Sequence, residues 1–152
     1  MIAKTRSSRI TRYIRRDYLQ EIDYIDVYKV IVPEANGTGA IGEILSTPLI
    51  GEPLIGVTDT FLCIGKFNNY FEAESAYKYI KTKFARAMLG ICKVTQHNPK
   101  ATWKYVPLQD FTSKSDIDWS KPIAQIDQQL YRKYGLTEDE ISFIETHVKE
   151  MN

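Results

Sequence analysis

Between residues 71 and 93 the apolar side chains recur at steps of three and four, and no proline interrupts them. Ala73, Ala76, Tyr77, Ile80, Phe84, Ala87, Met88 and Ile91 would form one stripe on a helix, so the spacing predicts a single helix over Phe71–Lys93 with that stripe on a core. Lys78, Lys81, Thr82 and Arg86 fall on the opposite side, which predicts an exposed basic face. A helix with one apolar side needs a second layer to cover it, and the residues before it supply strands. Asp26–Val32 is rich in β-branched and aromatic residues and is closed by Pro33. Thr58–Phe67 reads as another strand, Ala40–Ser46 as a further candidate, and Thr102–Val106 as one after the helix. Pro48, Gly51, Pro53 and Gly56 exclude a helix through 47–57.

After residue 112 the pattern changes. Ser115–Ser120 is linker-like, and Ile123, Ile126, Leu130 and Tyr134 space out a second helix with Gly135 placed to end it. Asp118 or Ser120 is expected to cap its start. Thr137 and Glu140 form a capping-box pair opening a third helix, with Leu136 and Ile141 at the staple positions. The fold expected is α+β: a mixed or antiparallel sheet packed on one long amphipathic helix, with a C-terminal helical hairpin. The division expected is a core over residues 1–112, carrying a basic N-terminal arm, and an acidic hairpin over 113–152 packed on it.

Charge follows that division. The net charge of +1 hides 15 Lys/Arg against 10 Asp/Glu in residues 1–106, and 5 against 9 in residues 107–152. The first 16 residues hold Lys4, Arg6, Arg9, Arg12, Arg15 and Arg16 and no acid. They lack the apolar stretch of a secretory signal, and no apolar run approaches the ~20 residues that span a bilayer. Cys63 and Cys92 lie among apolar neighbours without metal-ligand spacing, as expected of two buried thiols in a reducing cytoplasm.

Gly37-Thr38-Gly39-Ala40-Ile41-Gly42 matches a dinucleotide-binding pattern in letters. That chemistry requires a helix N-terminus at the glycines to hold the pyrophosphate, and the prolines and glycines that follow oppose one. The glycines are expected to serve turns. No acid stands two positions before any lysine, so the Glu/Asp-x-Lys of a common metal-dependent nuclease is missing. The single Asn-Pro, Asn98-Pro99, continues as Lys100-Ala101 and not as the Pro-aromatic of an adenine methylase loop. Asp116 and Asp118 alone make a poor cation site. His147 is expected to be exposed on the last helix. By contrast, Gln96, His97, Asn98 and Lys100 form a short polar and basic run after the long helix, with donors and acceptors suited to base edges.

The words TDTFLCIGKF, EAESAYKYIKTKFARAMLG, KVTQ, YVPLQDFT, SDIDWS and IDQQLYRKYGL occur in that order. In this combination the chain resembles, from about Arg12 to its end, the C-terminal region of bacterial restriction-modification adenine methyltransferases of the Taq-type and fused type II group. In those enzymes a methylase is followed by a target recognition domain. The resemblance implies a DNA-recognition domain without chemistry of its own, as an excised domain, a split specificity protein or a truncated gene product. It implies no cofactor in this chain, because S-adenosylmethionine and Mg would belong to the catalytic domains. Its partners would be duplex DNA and the methylase or nuclease part of the same system, in the cytoplasm and without a membrane. From side-chain chemistry, Arg12, Arg15, Arg16, Lys81 and Arg86 are expected to hold phosphates. Gln96, His97, Asn98 and Lys100 are expected to face the bases, and Lys104 is a further DNA-binding residue. The alternative is a protein-interaction or scaffold domain whose basic face meets an acidic partner. A small nucleotide-dependent enzyme using Gly37–Gly42 is the third option.

Overall fold

Val30, Ile31 and Val32 are almost completely buried in succession, which is what a strand covered on both faces requires. A computed structural model of the chain describes residues 2–5, 8–19, 23–35, 37, 39–93, 95, 97 and 99–151. It shows an α+β fold. A two-stranded antiparallel hairpin of β1 (Ile2–Thr5) and β2 (Ser8–Thr11) comes first. The main sheet contains β3 (Tyr28–Pro33), β4 (Leu49–Gly51) and β5 (Phe61–Phe67). Its order is β4-β3-β5, with both pairings antiparallel. Val30 and Val32 look into the core with Ala73, Ala76 and Ile80 of the first helix. On the other face Lys29 donates from Nζ to the carbonyls of Tyr24 (2.7 Å), Val27 (3.1 Å) and Glu52 (3.1 Å). A buried ammonium is tolerated there because its protons all find acceptors.

The expected single helix is two: α1 (Tyr70–Lys81) and α2 (Lys83–Cys92). Thr82 between them is extended, with φ −58° and ψ 150°. Its hydroxyl donates to the Tyr79 carbonyl (2.6 Å) and accepts from the Ala85 amide (3.1 Å), so one side chain ends the first helix and caps the second. Two other expected elements are also different. No strand forms over Ala40–Ser46; the short strand lies later, at Leu49–Gly51. Thr102–Tyr105 lies in a 3-10 helix, Lys100–Tyr105, which Val106 ends, and not in a strand.

Beyond the sheet, α3 (Ile123–Tyr134) and α4 (Glu138–His147) both pack on α2. Gly135 ends α3 with φ +62°, the left-handed backbone that glycine adopts without a steric penalty. Thr137 and Glu140 make a complete capping box at α4. Neither Asp118 nor Ser120 caps α3, whose N-cap is Pro122; Asp118 instead accepts from the Ser120 amide in the preceding turn (3.0 Å). The buried core runs across residue 112, joining Val30, Phe84 and Ala76 to Trp119, Ile126, Leu130 and Ile144.

Candidate nucleic-acid interface

The break at Thr82 decides where the cations go. Ending α1 leaves carbonyls without helical partners, and starting α2 leaves amides without them. Arg86, one turn into α2, folds back and donates from Nε to the carbonyls of Lys81 (3.1 Å) and Thr82 (3.3 Å). Its Nη1 reaches the carbonyls of Gly42 and Glu43 (both 3.3 Å), and Nη2 that of Lys149. At the opposite pole Asp127 of α3 accepts from the amides of Lys83 (3.0 Å) and Phe84 (2.9 Å). A cation thus sits at the C-terminal end of α1 and an anion at the N-terminal end of α2, each matched to the local backbone dipoles. Burial lowers the Arg86 pKa, against the field of Asp127 and Tyr131. Burial likewise raises Asp127, to about 6, against its two backbone hydrogen bonds.

The exposed basic face expected on this helix is therefore corrected. Arg86 is 2% exposed and Lys81 6%. The Lys81 ammonium lies over the ring of Tyr77, 4.8 Å from its centre. Lys78 donates to the Trp119 carbonyl (2.9 Å), and Lys93 forms a buried ion pair with Glu43 (2.9 Å). These cations hold loops and helices together, which leaves little of their charge facing solvent.

The N-terminal arm differs. Arg12, Arg15 and Arg16 are all exposed. Arg15 pairs with Asp17 (2.7 Å) and Arg16 with Asp26, with every side chain in these pairs more than half exposed. His97, Lys100 and Lys104 are exposed too, and Lys104 lies over the ring of Tyr105 at 4.6 Å. His97 forms an isolated bridge with Ala35, which brings this segment beside the end of β3. Gln96 and Asn98 lie outside the described residues.

The segment after Arg16 and the 3-10 helix Lys100–Tyr105 meet across a groove of about 620 Å³. Leu19, Tyr24 and Ile25 line it, as do Asp59, Lys100, Trp103 and Leu108. Phe61 to Gly65 of β5 run along it. Gln109, next to Leu108, is buried, donates to the Tyr134 hydroxyl (2.7 Å) and accepts from Lys133 (3.0 Å). Tyr79 donates to the Pro107 carbonyl (2.7 Å), and its burial raises the hydroxyl pKa. Neither the groove nor Asp127 has a local signature in the sequence, because each is made by segments distant along the chain.

The glycine-rich turn contains no helix after Gly42; residues 43–48 are irregular. Gly42 has φ +74°, and a Cβ there would lie 2.6 Å from the Val148 Cα. The turn carries the C-terminal end of the chain, whose Lys149 amide donates to the Gly42 carbonyl (3.2 Å). Asp116 pairs with Lys133 (2.7 Å). Cys63 and Cys92 are free and half-buried, and burial raises the Cys63 thiol pKa. His147 is exposed and stacked on Phe143. Among the described residues no group of three or more His, Cys, Asp or Glu side chains could hold a metal ion. No helix among them is long and apolar enough to cross a membrane. No family model matches this chain, and no curated protein or solved structure matches it either.

Proposed function

We propose that the chain binds duplex DNA as the sequence-recognition domain of a restriction-modification enzyme, selecting the site that catalytic domains elsewhere methylate or cut. One observation carries this reading. The arm presents Arg12, Arg15 and Arg16 to solvent, and the latter two are held by surface ion pairs with a neighbouring aspartate. Exposed pairs of this kind contribute about 0–1 kcal/mol, so a phosphate replaces the aspartate at little cost. The bidentate fork of arginine suits that exchange. Lys104 and His97 extend the basic surface, and Gln96, His97, Asn98 and Lys100 are the residues assigned to base edges. Lys81 and Arg86 are dropped as phosphate contacts because they are buried. The C-terminal hairpin, whose acids Glu138, Asp139, Glu140 and Glu145 lie on α4 and which DNA repels, would face the catalytic part.

Binding of a random duplex, followed by anisotropy as salt is raised, tests the reading. With about four phosphates neutralised, log K should fall with log[salt] at a slope near −3 to −4. Salt-insensitive or absent binding would instead favour a protein-interaction domain.

A further inference from the structure

The N-terminal arm carries rings as well as charge. Large aromatic side chains are mostly buried, because each removes a large apolar area from water. Tyr13 is nonetheless fully exposed and Tyr18 is 68% exposed, with the exposed Arg15 and Arg16 between them. Tyr18 sits in an ordered turn: its amide donates to the Arg15 carbonyl (3.2 Å), in a 3-10 helix over Arg16–Tyr18 that buries no residue. Arg15 reaches over Tyr18, its guanidinium carbon 5.5 Å from the ring centre. It also donates from Nε (3.1 Å) and Nη2 (2.7 Å) to the two oxygens of Asp17. Arg16 pairs with Asp26, which ties the arm to the segment leading into β3.

Charge chooses the sign of the ligand. Residues 1–19 hold six Lys/Arg against a single acid, Asp17. Asp17 on Arg15 and Asp26 on Arg16 make exposed pairs, which a phosphate can replace at little cost. Such a segment suits a polyanion, and the rings narrow the class. Exposed aromatic rings flanked by cations are platforms on which nucleobases stack while the cations track the backbone. In a continuous duplex the bases stack on one another and offer a protein their edges. A base offers its face only when it is unpaired. We propose that the arm binds the unpaired bases of single-stranded DNA, with Tyr13 and Tyr18 as stacking platforms and Arg12, Arg15 and Arg16 on the phosphates. The inference rests on the DNA reading for its phosphate contacts and adds the two rings, which that reading leaves unused.

The test uses the full chain with a fluorescein-labelled oligothymidylate, an abasic strand of the same length and a fully paired duplex. The first two carry the same phosphates and differ only in their rings. The parent should bind the thymidylate strand at least tenfold more tightly than the abasic strand at equal salt. Tyr13→Ala and Tyr18→Ala should each lower affinity for the thymidylate strand about five- to tenfold. Neither should change affinity for the abasic strand or the duplex, nor the slope of log K against log[salt], because stacking releases no counterions. Tyr13→Phe keeps the ring and should bind as the parent does. Both tyrosines are exposed, so the melting temperature should stay that of the parent. Equal affinity of the parent for the thymidylate and abasic strands would overturn the proposal. A loss in the tyrosine variants that extends equally to the abasic strand would overturn it as well, by showing that the rings only shape the arm. Duplex binding without base-dependent strand binding sinks this proposal alone. Base-dependent strand binding without duplex binding sinks the duplex reading and leaves the stacking arm standing.

Discussion

Arg86 and Arg16 carry the same guanidinium and meet opposite surroundings. Arg86 is buried at the junction of α1 and α2, and its N–H groups reach five backbone carbonyls drawn from the end of α1, Thr82, the Gly42 turn and the C-terminal end. Arg16 lies in the arm, exposed, with one aspartate as its partner. A buried guanidinium with backbone acceptors is part of the fold, since removing it strands several carbonyls away from water. An exposed one in a surface pair is spare electrostatic capacity, available to a polyanion. The difference teaches that a count of Lys and Arg says how much charge a chain carries, and burial says how much of it a partner meets.

The largest effect expected is at the junction. Arg86→Leu should lose about 3–5 kcal/mol in urea unfolding, because one change leaves a set of buried carbonyls unpaired. A variant of parental stability that has lost affinity for DNA would break the comparison and restore Arg86 to the interface.

Asp127 sharpens the same contrast through pH. Burial raises its pKa to about 6 from an ordinary 3.8, so the folded chain takes up this proton more readily than the unfolded chain. The stability from this group is full in acid, below about 4, and is lost as pH rises through about 6, by roughly 3 kcal/mol. Asp127→Asn should flatten the slope of unfolding free energy between pH 4 and 6. It would keep an acceptor for one of the two amides at the start of α2. A slope identical in parent and variant would show that Asp127 stays ionised throughout.

A smaller loss is expected at a site that owes nothing to distant segments. Thr137→Ala removes one half of the capping box, and should lower stability by about 1 kcal/mol, read as a shift in the urea midpoint without change in the slope of the transition. The smallest stability effect belongs to the arm. Arg15→Ala with Arg16→Ala should change unfolding free energy by less than about 0.5 kcal/mol, while flattening the salt dependence of DNA binding by about one to two. A marked loss of stability in that double variant would show that the arm is structural and erase its contrast with Arg86.

The sequence is legible where the chemistry is local. The capping box at Thr137 and Glu140, the left-handed Gly135, and the strand ended by Pro33 each depend on residues within a few positions of one another. The interface was legible only in part. The exposed arm followed from a run of arginines without acids, whereas the basic face of the long helix did not survive, because its apolar period continues through Thr82 and conceals the break.

Local spacing by itself determined the strands β3 and β5, the helical stretch around 70–92 and the two C-terminal helices with their ends, since hydrophobic period, caps and prolines act over one or two turns. It did not place β4 or the 3-10 helix Lys100–Tyr105. The tertiary structure decided the break at Thr82, the burial of Lys81 and Arg86, the two amides given to Asp127, and the groove along β5. Each of these depends on carbonyls, amides or apolar walls supplied from dozens of residues away. Whether a cation is buried or exposed is fixed by those partners, and no periodicity in the sequence encodes them.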